Sequence, residues 1–361
     1  MTKIFNNIYK GKRVLITGNT GFKGSWLTIW LRMLGAEVAG LSNGIPTKPS
    51  NYVVSGLDKK IKQYEVDIRD YKAVFNVLKS FKPDIIFHLA AQALVQRSLV
   101  EPKLTFETNT LGTINILEAI RNYRKNIVGV IITSDKCYRN VGWEWGYREN
   151  DELGGDDPYS ASKGCAELAF RPYANIYNLV IATTRAGNVI GGGDWAKDRI
   201  IPDCVRAWSV KKRPLIRQPN STRPWQHVLE PLSGYLWLGY KLLKSPEKFK
   251  GQSYNFGSNT EENYSVKELL KTLVKHWPGA KWKESRKKDN GVEPKLLKLN
   301  CDKAFFHMGW HTILSFEEAI GMTADWYLRY YQKKGNMYEF SVSQIEKYIK
   351  IAKEQKMPWL K

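Results

Sequence analysis

Cysteine is scarce in this chain of 361 residues: there are four, at positions 137, 165, 204 and 301, far apart and with no CxxC. That excludes a disulfide framework and a cysteine zinc site, and it fits a reducing compartment. Histidine numbers five. The one i, i+4 pair, His307 and His311, has no carboxylate motif on its stretch, so no metal is expected. No apolar run reaches the roughly 18 residues that a bilayer span requires. The opening MTKIFNNIYKGKR leads directly into a strand-like VLITG, without an apolar targeting core or cleavage site, and a cytoplasmic location is expected. Internal repeats and low-complexity segments are also lacking.

Acidic residues are in deficit, with 35 Asp and Glu against 56 Lys and Arg and a net charge of +21. Such a charge raises the question of nucleic acid. The excess is spread along the chain, with 33 basic against 21 acidic residues over 1–240 and 23 against 14 over 241–361. Its densest piece, Ser285-Arg286-Lys287-Lys288, is short and followed by Asp289. No nucleic-acid recognition module is present, so a solvated basic surface is expected, attractive at most to small anions. A hydrophobic fraction of 43% over this length supports a globular chain of two domains, or one domain with a large appendage.

Short apolar strands alternate with longer amphipathic stretches in the first half. Arg13–Thr17, Glu37–Leu41, Pro83–Leu89, Val128–Thr133 and Leu179–Thr184 read as strands, and Trp26–Leu34 as the first helix. Continuous apolar strands separated by helices predict a parallel sheet covered on both faces, an α/β doubly wound domain over 1–189. Residues 190–361 are loop-rich at first and predict a smaller, mixed substrate-binding domain. Within them the helix Leu229–Leu243 and the strand Ser253–Phe256 are expected to return to the first domain, so that 228–258 belongs with it. Further helices are expected at Ser265–Trp277 and Ser315–Tyr331, the latter with a Ser315/Glu318 capping box. The tail 341–353 places Val342, Ile345, Tyr348 and Ile349 on one face and is expected to dock.

Thr17-Gly18-Asn19-Thr20-Gly21-Phe22-Lys23-Gly24 follows the first strand and opens the first helix. In such a GxxGxxG, Gly18 permits a tight turn, Gly21 lets the backbone approach a pyrophosphate, and Gly24 allows close helix packing. The acid that commonly follows the second strand is missing: Leu41-Ser42-Asn43 stands there instead. Ser42 or Asn43 is expected at the adenosine ribose and Asp67-Ile68 beside the adenine. No arginine directly follows the second strand, so NAD is expected rather than NADP, with Lys48 and Arg32 the nearby cations.

Tyr159-Ser160-Ala161-Ser162-Lys163 is YxxxK, entered through Asp157-Pro158. Residues i and i+4 share a helix face, so the Lys163 cation is expected to pull the Tyr159 phenol down and make it a base for a hydroxyl. The motif lies some 25 residues after Thr133-Ser134-Asp135-Lys136, at the carboxyl end of a parallel strand, where ligand chemistry in such sheets takes place.

With these residues the chain resembles the extended short-chain dehydrogenases over nearly its whole length, through TGNTGFKG (17–24), HLAAQ (88–92), Asn109, TSDKCY (133–138), YSASK (159–163) and RAGNVIGGGDW (185–195). Within them, residues 187–203 and RPWQHVLEPLSGYL (223–236) resemble the CDP-glucose 4,6-dehydratases. The resemblance implies a cofactor site of Gly18, Asn19, Gly21, Phe22, Lys23, Gly24, Ser42, Asp67, Ile68, Leu89, Ala90, Ala91, Gln92 and Asn109. By it Ser134 positions the sugar, Tyr159 takes the 4-hydroxyl proton, and Lys163 tunes Tyr159 and holds the nicotinamide ribose. Asn188, Arg199, Arg223 and His227 are placed by it at the nucleotide sugar. It implies conversion of CDP-glucose to a 4-keto-6-deoxy sugar with a tightly held NAD, and a homodimer or higher oligomer joined through the helices bearing Asn109 and Tyr159. The related dTDP-glucose enzymes carry Asp-Glu where this chain has Asp135-Lys136. The acid that protonates the leaving 6-hydroxyl carries over as Asp135; the base does not carry over as a carboxylate.

Two other readings stand beside this one. A nucleotide-sugar 4-epimerase would need no elimination pair, which Asp135-Lys136 argues against. A dinucleotide-sensing binding protein would not need Ser134, Tyr159 and Lys163. His88 is expected to be bonded to backbone rather than catalytic. Trp26 and Trp30 have core spacing, and the Trp143-Glu144-Trp145 loop is expected to cover the sugar or pack on a partner subunit.

Overall fold

The computed structural model describes residues 3–123, 127–258, 263–285 and 296–360. Arg286, Lys287 and Lys288 of the basic piece lie outside them. Seven strands form one parallel sheet: β1 (Arg13–Thr17), β2 (Glu37–Ser42), β3 (Lys62–Glu65), β4 (Ile85–His88), β5 (Val128–Ile132), β6 (Ile181–Ala186) and β7 (Ser253–Phe256). Their spatial order is β7-β6-β5-β4-β1-β2-β3. The chain runs outward from β1 to β3 and then crosses back to β4, so the order reverses between β1 and β4. A crevice at the carboxyl ends of the strands forms at such a switch point. Strand β7 extends β6 in parallel register, Ser253 opposite Thr183 and Phe256 opposite Ala186.

The strands read as unbroken apolar runs because both faces are covered. Leu15, Ile86 and Ile131 face a core shared with α2 (Tyr71–Phe81), α3 (Gly112–Tyr123) and α4 (Pro158–Asn175). Val14, Ile16, Phe87 and Val130 face the opposite way, into a second core. There they meet Trp26 and Trp30 of α1 (Phe22–Met33) and Leu232 and Leu236 of α6 (Leu229–Lys244), while α5 (Ile200–Ser209) adds Ile201 and Val205. The helix expected from Trp26 starts a turn earlier, at Phe22, which puts Lys23 and Gly24 in its first turn. Asp157 caps α4, its Oδ1 accepting the Ser160 N–H at 2.9 Å, and Pro158 occupies the first helical position.

Among the described residues the further long helices are α7 (Val266–His276), α8 (Phe316–Tyr331) and α9 (Met337–Glu354), beside several short ones. The Ser315/Glu318 capping box is formed on α8, and Ser265/Glu268 makes a second one on α7. Ile345 and Tyr348 of α9 are buried, with Val342 and Ile349 half-buried beside them. The same cluster holds the buried residues of α8 and α9 together with α1 and the sheet face, so one core is continuous through both halves of the chain. A buried acid fastens this packing. Glu230 of α6 accepts the N–H groups of Ile313 (3.0 Å) and Leu314 (2.8 Å) on one oxygen and the Tyr348 hydroxyl (2.8 Å) on the other.

Removing that acceptor strands two buried N–H groups and leaves the Tyr348 hydroxyl with Ser233 Oγ, at 3.1 Å. Glu230→Ala should therefore lower the unfolding free energy by roughly 2–4 kcal/mol. Urea denaturation measures it, and an unchanged midpoint would remove Glu230 from this role.

Candidate active site

The turn after β1 is built for close approach. Gly18 has φ +72°, and a Cβ there would lie 2.7 Å from the Ala90 nitrogen; a Cβ on Gly24 would lie 2.2 Å from the Gly18 carbonyl oxygen. The loop is thus pressed against the one that follows β4, where Thr17 Oγ1 accepts the Ala90 N–H at 3.2 Å. Gly21 caps α1 in extended conformation, leaving the first N–H groups of the helix, with Phe22 and Lys23, at the crevice. A cradle that any side chain would fill, under a helix N-terminus at the switch point, fits a dinucleotide diphosphate.

The ends of three strands are joined beside this turn. Asn19 donates to Gln63 (2.7 Å), which in turn donates to Ser42 Oγ (3.0 Å). Asn43 donates to Asp67 (3.0 Å), and the Arg69 side chain, hydrogen-bonded to the same carboxylate, holds it down at about 2. Asp67, in the loop after β3, is thus joined to Asn43 at the end of β2. Ile68 is buried beneath Gly112, whose Cβ would meet it at 2.5 Å.

Gln92 and Asn109 are bonded to one another. The Asn109 amide accepts the Gln92 N–H (2.8 Å) and donates to the Gln92 carbonyl and to Ser162 Oγ (2.9 Å). Gln92 in turn bonds Thr105 and the Leu94 backbone. Both side chains shape the Leu89-Ala90-Ala91 loop and tie it to α4. Asn109 lies in a π-helical turn, Glu107–Leu111, a distortion found mostly at functional sites.

At the end of β5, Ser134 opens a tight turn, Asp135–Cys137. Its hydroxyl donates to Asp135 Oδ1 (2.8 Å), and the same oxygen accepts the Lys136 N–H (2.9 Å). Tyr159 and Lys163 of α4 are buried beside it. Burial pushes the Tyr159 phenol up to about 12, with the Ser134 hydroxyl acting in the opposite direction and the Asp135 carboxylate adding to the rise. The expected downward pull of Lys163 does not prevail, because loss of water penalises the phenolate more than any neighbouring cation favours it. Lys163 itself is brought down to about 8, first by burial and then by the Lys23 cation. Its Nζ is 3.5 Å from the Ile132 carbonyl oxygen.

Below this turn lies a polar cluster that sequence reasoning missed. Glu167, two turns on from Tyr159 on the same face of α4, accepts from Arg185 (2.8 Å), Thr133 (2.5 Å), Thr183 (2.9 Å) and Ser253 (3.2 Å). Glu167 and Arg185 are each about 1% exposed. Arg185 also donates to Tyr138 OH (2.6 Å), and Tyr138 donates to Asn255 (2.8 Å). Burial acts to raise the Glu167 carboxyl, but Arg185 and the hydroxyls hold it below its ordinary value. A charged residue in the otherwise apolar and hydroxylic strand IATTRA was the available signal.

On the substrate side, a Cβ on Gly187 would come within 3.3 Å of Asp135 Oδ2, so Gly187 keeps that carboxylate accessible. A small cavity there is bounded by Gly187, Pro224, Gln226, Gly257 and Leu299. The Asn188 carbonyl accepts the Gln226 N–H (3.1 Å) and so borders it. Arg199 is paired with Asp194 (2.7 Å), close enough to Tyr159 and Lys23 to affect their titration. Arg223 lies on a two-residue strand paired with Tyr264–Ser265. His227 is fully buried, its ring edge-on to Trp26 at 6.3 Å, its Nδ1 accepting the Leu229 N–H at 3.4 Å and its Nε2 without a hydrogen-bond partner among the described residues, and burial lowers it to about 3. His88 is bonded to the hydroxyls of Thr17 (2.7 Å) and Thr113 (3.1 Å) rather than to backbone. Trp143 packs against Trp145 at a tilt and stacks on Tyr147, which stacks on Tyr138.

A proton acceptor for a hydroxyl, an acid one turn away and a dinucleotide cradle share one crevice, and that combination is the equipment of a short-chain-dehydrogenase type of enzyme. The chain belongs to the family described as GDP-mannose 4,6 dehydratase, whose model matches residues 15–323. It is 43% identical to the CDP-glucose 4,6-dehydratase of Salmonella typhimurium over 334 residues, covering 90% of this chain and 92% of that protein. Its fold is similar to UDP-glucose 4-epimerase of Thermotoga maritima with UDP-glucose (TM-score 0.77, 22% identity, 88% and 98% covered). It is also similar to UDP-glucose 4-epimerase of Thermus thermophilus in complex with NAD (TM-score 0.76, 26% identity, 88% and 99% covered).

The Glu167–Arg185 pair yields a test. Arg185→Leu leaves a buried, unpaired carboxylate and should cost about 3–5 kcal/mol, whereas Arg185→Leu with Glu167→Leu should recover much of the loss. Guanidinium denaturation of the single and double variants decides it; equal losses would contradict the pairing argument.

Proposed function

We propose that this protein is an NAD-dependent nucleotide-sugar 4,6-dehydratase whose substrate is CDP-glucose. The observation that carries the reading is the juxtaposition of Asp135, in the turn after β5, with the Ser134–Tyr159–Lys163 group. An acid so placed has a role in eliminating water and none in a simple exchange of hydride at C4. The 43% identity to a CDP-glucose enzyme supports the choice of nucleotide.

Gly18, Gly21, Phe22 and Gly24 would hold the diphosphate, with Ser42, Asn43, Asp67 and Ile68 at the adenosine and Lys163 at the nicotinamide ribose. A nicotinamide held there would supply a reversible hydride acceptor. Ser134 orients the 4-hydroxyl, and Tyr159 takes its proton as the phenolate, assisted by that hydroxyl and by nearby cations. A carbonyl at C4 acidifies the C5 hydrogen. Asp135 gives its proton to the departing 6-hydroxyl, and Lys136 either removes the C5 proton or stabilises the charge that develops on the enolate. Residues 190–361 supply the nucleotide side of the crevice, through Asn188 at its border, Arg199 and Arg223.

Oligomerisation belongs to the same reading. Leu99, Val100, Phe106, Leu111 and Leu168 are exposed on the helical segments 95–123 and 158–175. An apolar surface of this kind suits a second copy of the chain, so a cytoplasmic homodimer or higher homo-oligomer is proposed.

Incubation with CDP-, dTDP-, UDP- and GDP-glucose, followed by mass spectrometry, tests the function: loss of water from the CDP sugar alone or foremost is expected, and its absence from all four would overturn the reading. Tyr159→Phe keeps the ring packing and should reduce turnover about 10²–10⁴-fold; near-normal turnover would take Tyr159 out of the mechanism. Lys136→Met should still form the 4-keto hexose but exchange little C5 hydrogen with deuterated water. Fast exchange in that variant would exclude Lys136 as the base.

A further inference from the structure

A second cavity, of about 480 Å³, opens along the edge strand β7, and none of the residues assigned to the crevice lines it. Its size is that of a small-molecule site. One wall is the segment 148–150, another is Arg171 near the end of α4, and a third is Lys303 of the short helix Asp302–Met308. Among the described residues the Arg148 and Arg171 guanidiniums make no hydrogen bond and no ion pair. Lys303 is half-buried above the Tyr254 ring, 4.9 Å from its centre, and donates to Gln252 Oε1 (2.9 Å). Two acids share the cavity, and both are engaged. Glu149 Oε1 accepts the Asn255 N–H (2.8 Å), and Asp302 Oδ2 accepts the Asn300 amide (2.9 Å). Three cations thus line one cavity without an ion-pair partner among the described residues. Burial lowers Lys303, with Glu149 opposing, so an anion beside it would relieve a standing cost.

We propose that this cavity is a regulatory site for a phosphorylated sugar. Guanidiniums take phosphate through paired, charge-assisted hydrogen bonds, and two unpaired ones in a single cavity are suited to it. The rest of the lining selects what the phosphate is attached to. Among the described residues it includes no aromatic or purely apolar side chain on which a nucleobase could stack. The Asn150 amide and Gln252 Nε2 offer donors without a partner among the described residues, as the hydroxyls of a sugar require.

Occupancy reaches the catalytic group through bonds already made. The Glu149 carbonyl accepts Arg185 Nη1 (3.1 Å), and Ser253 Oγ donates to Glu167 Oε2 (3.2 Å). Arg171 lies on the helix that carries Tyr159 and Lys163, and Arg148 on the segment that follows the Ser134 turn. A phosphate held by both arginines therefore ties from outside the two segments that the Glu167–Arg185 pair ties from inside. A firmer hold of Tyr159 relative to Asp135 favours proton transfer, and so turnover rather than substrate binding.

Isothermal titration of the whole enzyme with glucose 6-phosphate, with CDP present to fill the catalytic crevice, tests the site. Binding is expected, weakened roughly tenfold or more by Arg171→Gln and again by Arg148→Gln. No binding, or binding undiminished in the double variant, would overturn the proposal. Inorganic phosphate and cytidine monophosphate should each bind about tenfold or more weakly than glucose 6-phosphate; equal binding of either would refute the assignment to a sugar phosphate. With CDP-glucose as substrate, glucose 6-phosphate should raise kcat of the native enzyme about twofold or more and leave KM unchanged. The two arginine variants should keep the basal turnover and lose the response. An unchanged kcat would overturn the regulatory role, and a rise in KM would place the anion in the crevice instead. A native enzyme that dehydrates no CDP-glucose would bring down the functional reading while the titration still decides the site. Both arginines are exposed, and circular dichroism and melting of each variant separate these results from misfolding.

Discussion

The Glu167 carboxylate joins three segments that are far apart in the chain: the helix bearing Tyr159 and Lys163, the strand bearing Arg185, and the end of β5 from which the Ser134 turn departs. A buried ion pair is expensive to desolvate and is tolerated only when further hydrogen bonds satisfy both partners. Here Thr133, Thr183 and Ser253 satisfy the carboxylate and Tyr138 takes one guanidinium nitrogen, while Arg185 Nε has no hydrogen-bond partner among the described residues. Satisfying this one charge therefore fixes how far α4 slides along β5 and β6. That in turn fixes the distance between the Tyr159 ring and the Asp135 turn, on which proton transfer depends.

The cofactor side obeys a different constraint, which is absence of bulk. Gly18 and Gly24 let the β1 turn, the β4 loop and α1 come within contact distance, while Asn109 and Gln92 hold the β4 loop from behind. Because Asn109 also bonds Ser162 of α4, the cradle and the catalytic helix are mechanically one body. The positive charge that sequence composition spreads over the chain is concentrated at this junction in Lys23, Lys163 and Arg199. The chemistry proposed there passes through anionic species, a phenolate and an enolate, which such a site stabilises.

Much of this was legible in the sequence because it is carried by local patterns. Unbroken apolar strands called for a sheet covered on both faces, GxxGxxG and YxxxK are readable within eight residues each, and Ser315/Glu318 announced a helix start that is present. What was not legible depends on contacts between distant positions. Glu167 and Arg185 are eighteen residues apart and meet only because α4 packs under β6. The sense of the Tyr159 shift depends on how completely the fold excludes water, which spacing does not encode. His227 follows a motif that resembles substrate-binding sequence, yet its side chain turns to Trp26 and the core.

The central claim is that hydride leaves C4 of a CDP-hexose and returns to C6 of the same molecule as water is lost. CDP-glucose carrying deuterium at C4 tests it directly, with the position of the label in the product read by nuclear magnetic resonance. The account predicts a 4-keto-6-deoxy product with the deuterium at C6. Deuterium retained at C4 of an unreduced hexose would contradict it and indicate epimerisation; a dehydrated product without deuterium would contradict the internal transfer.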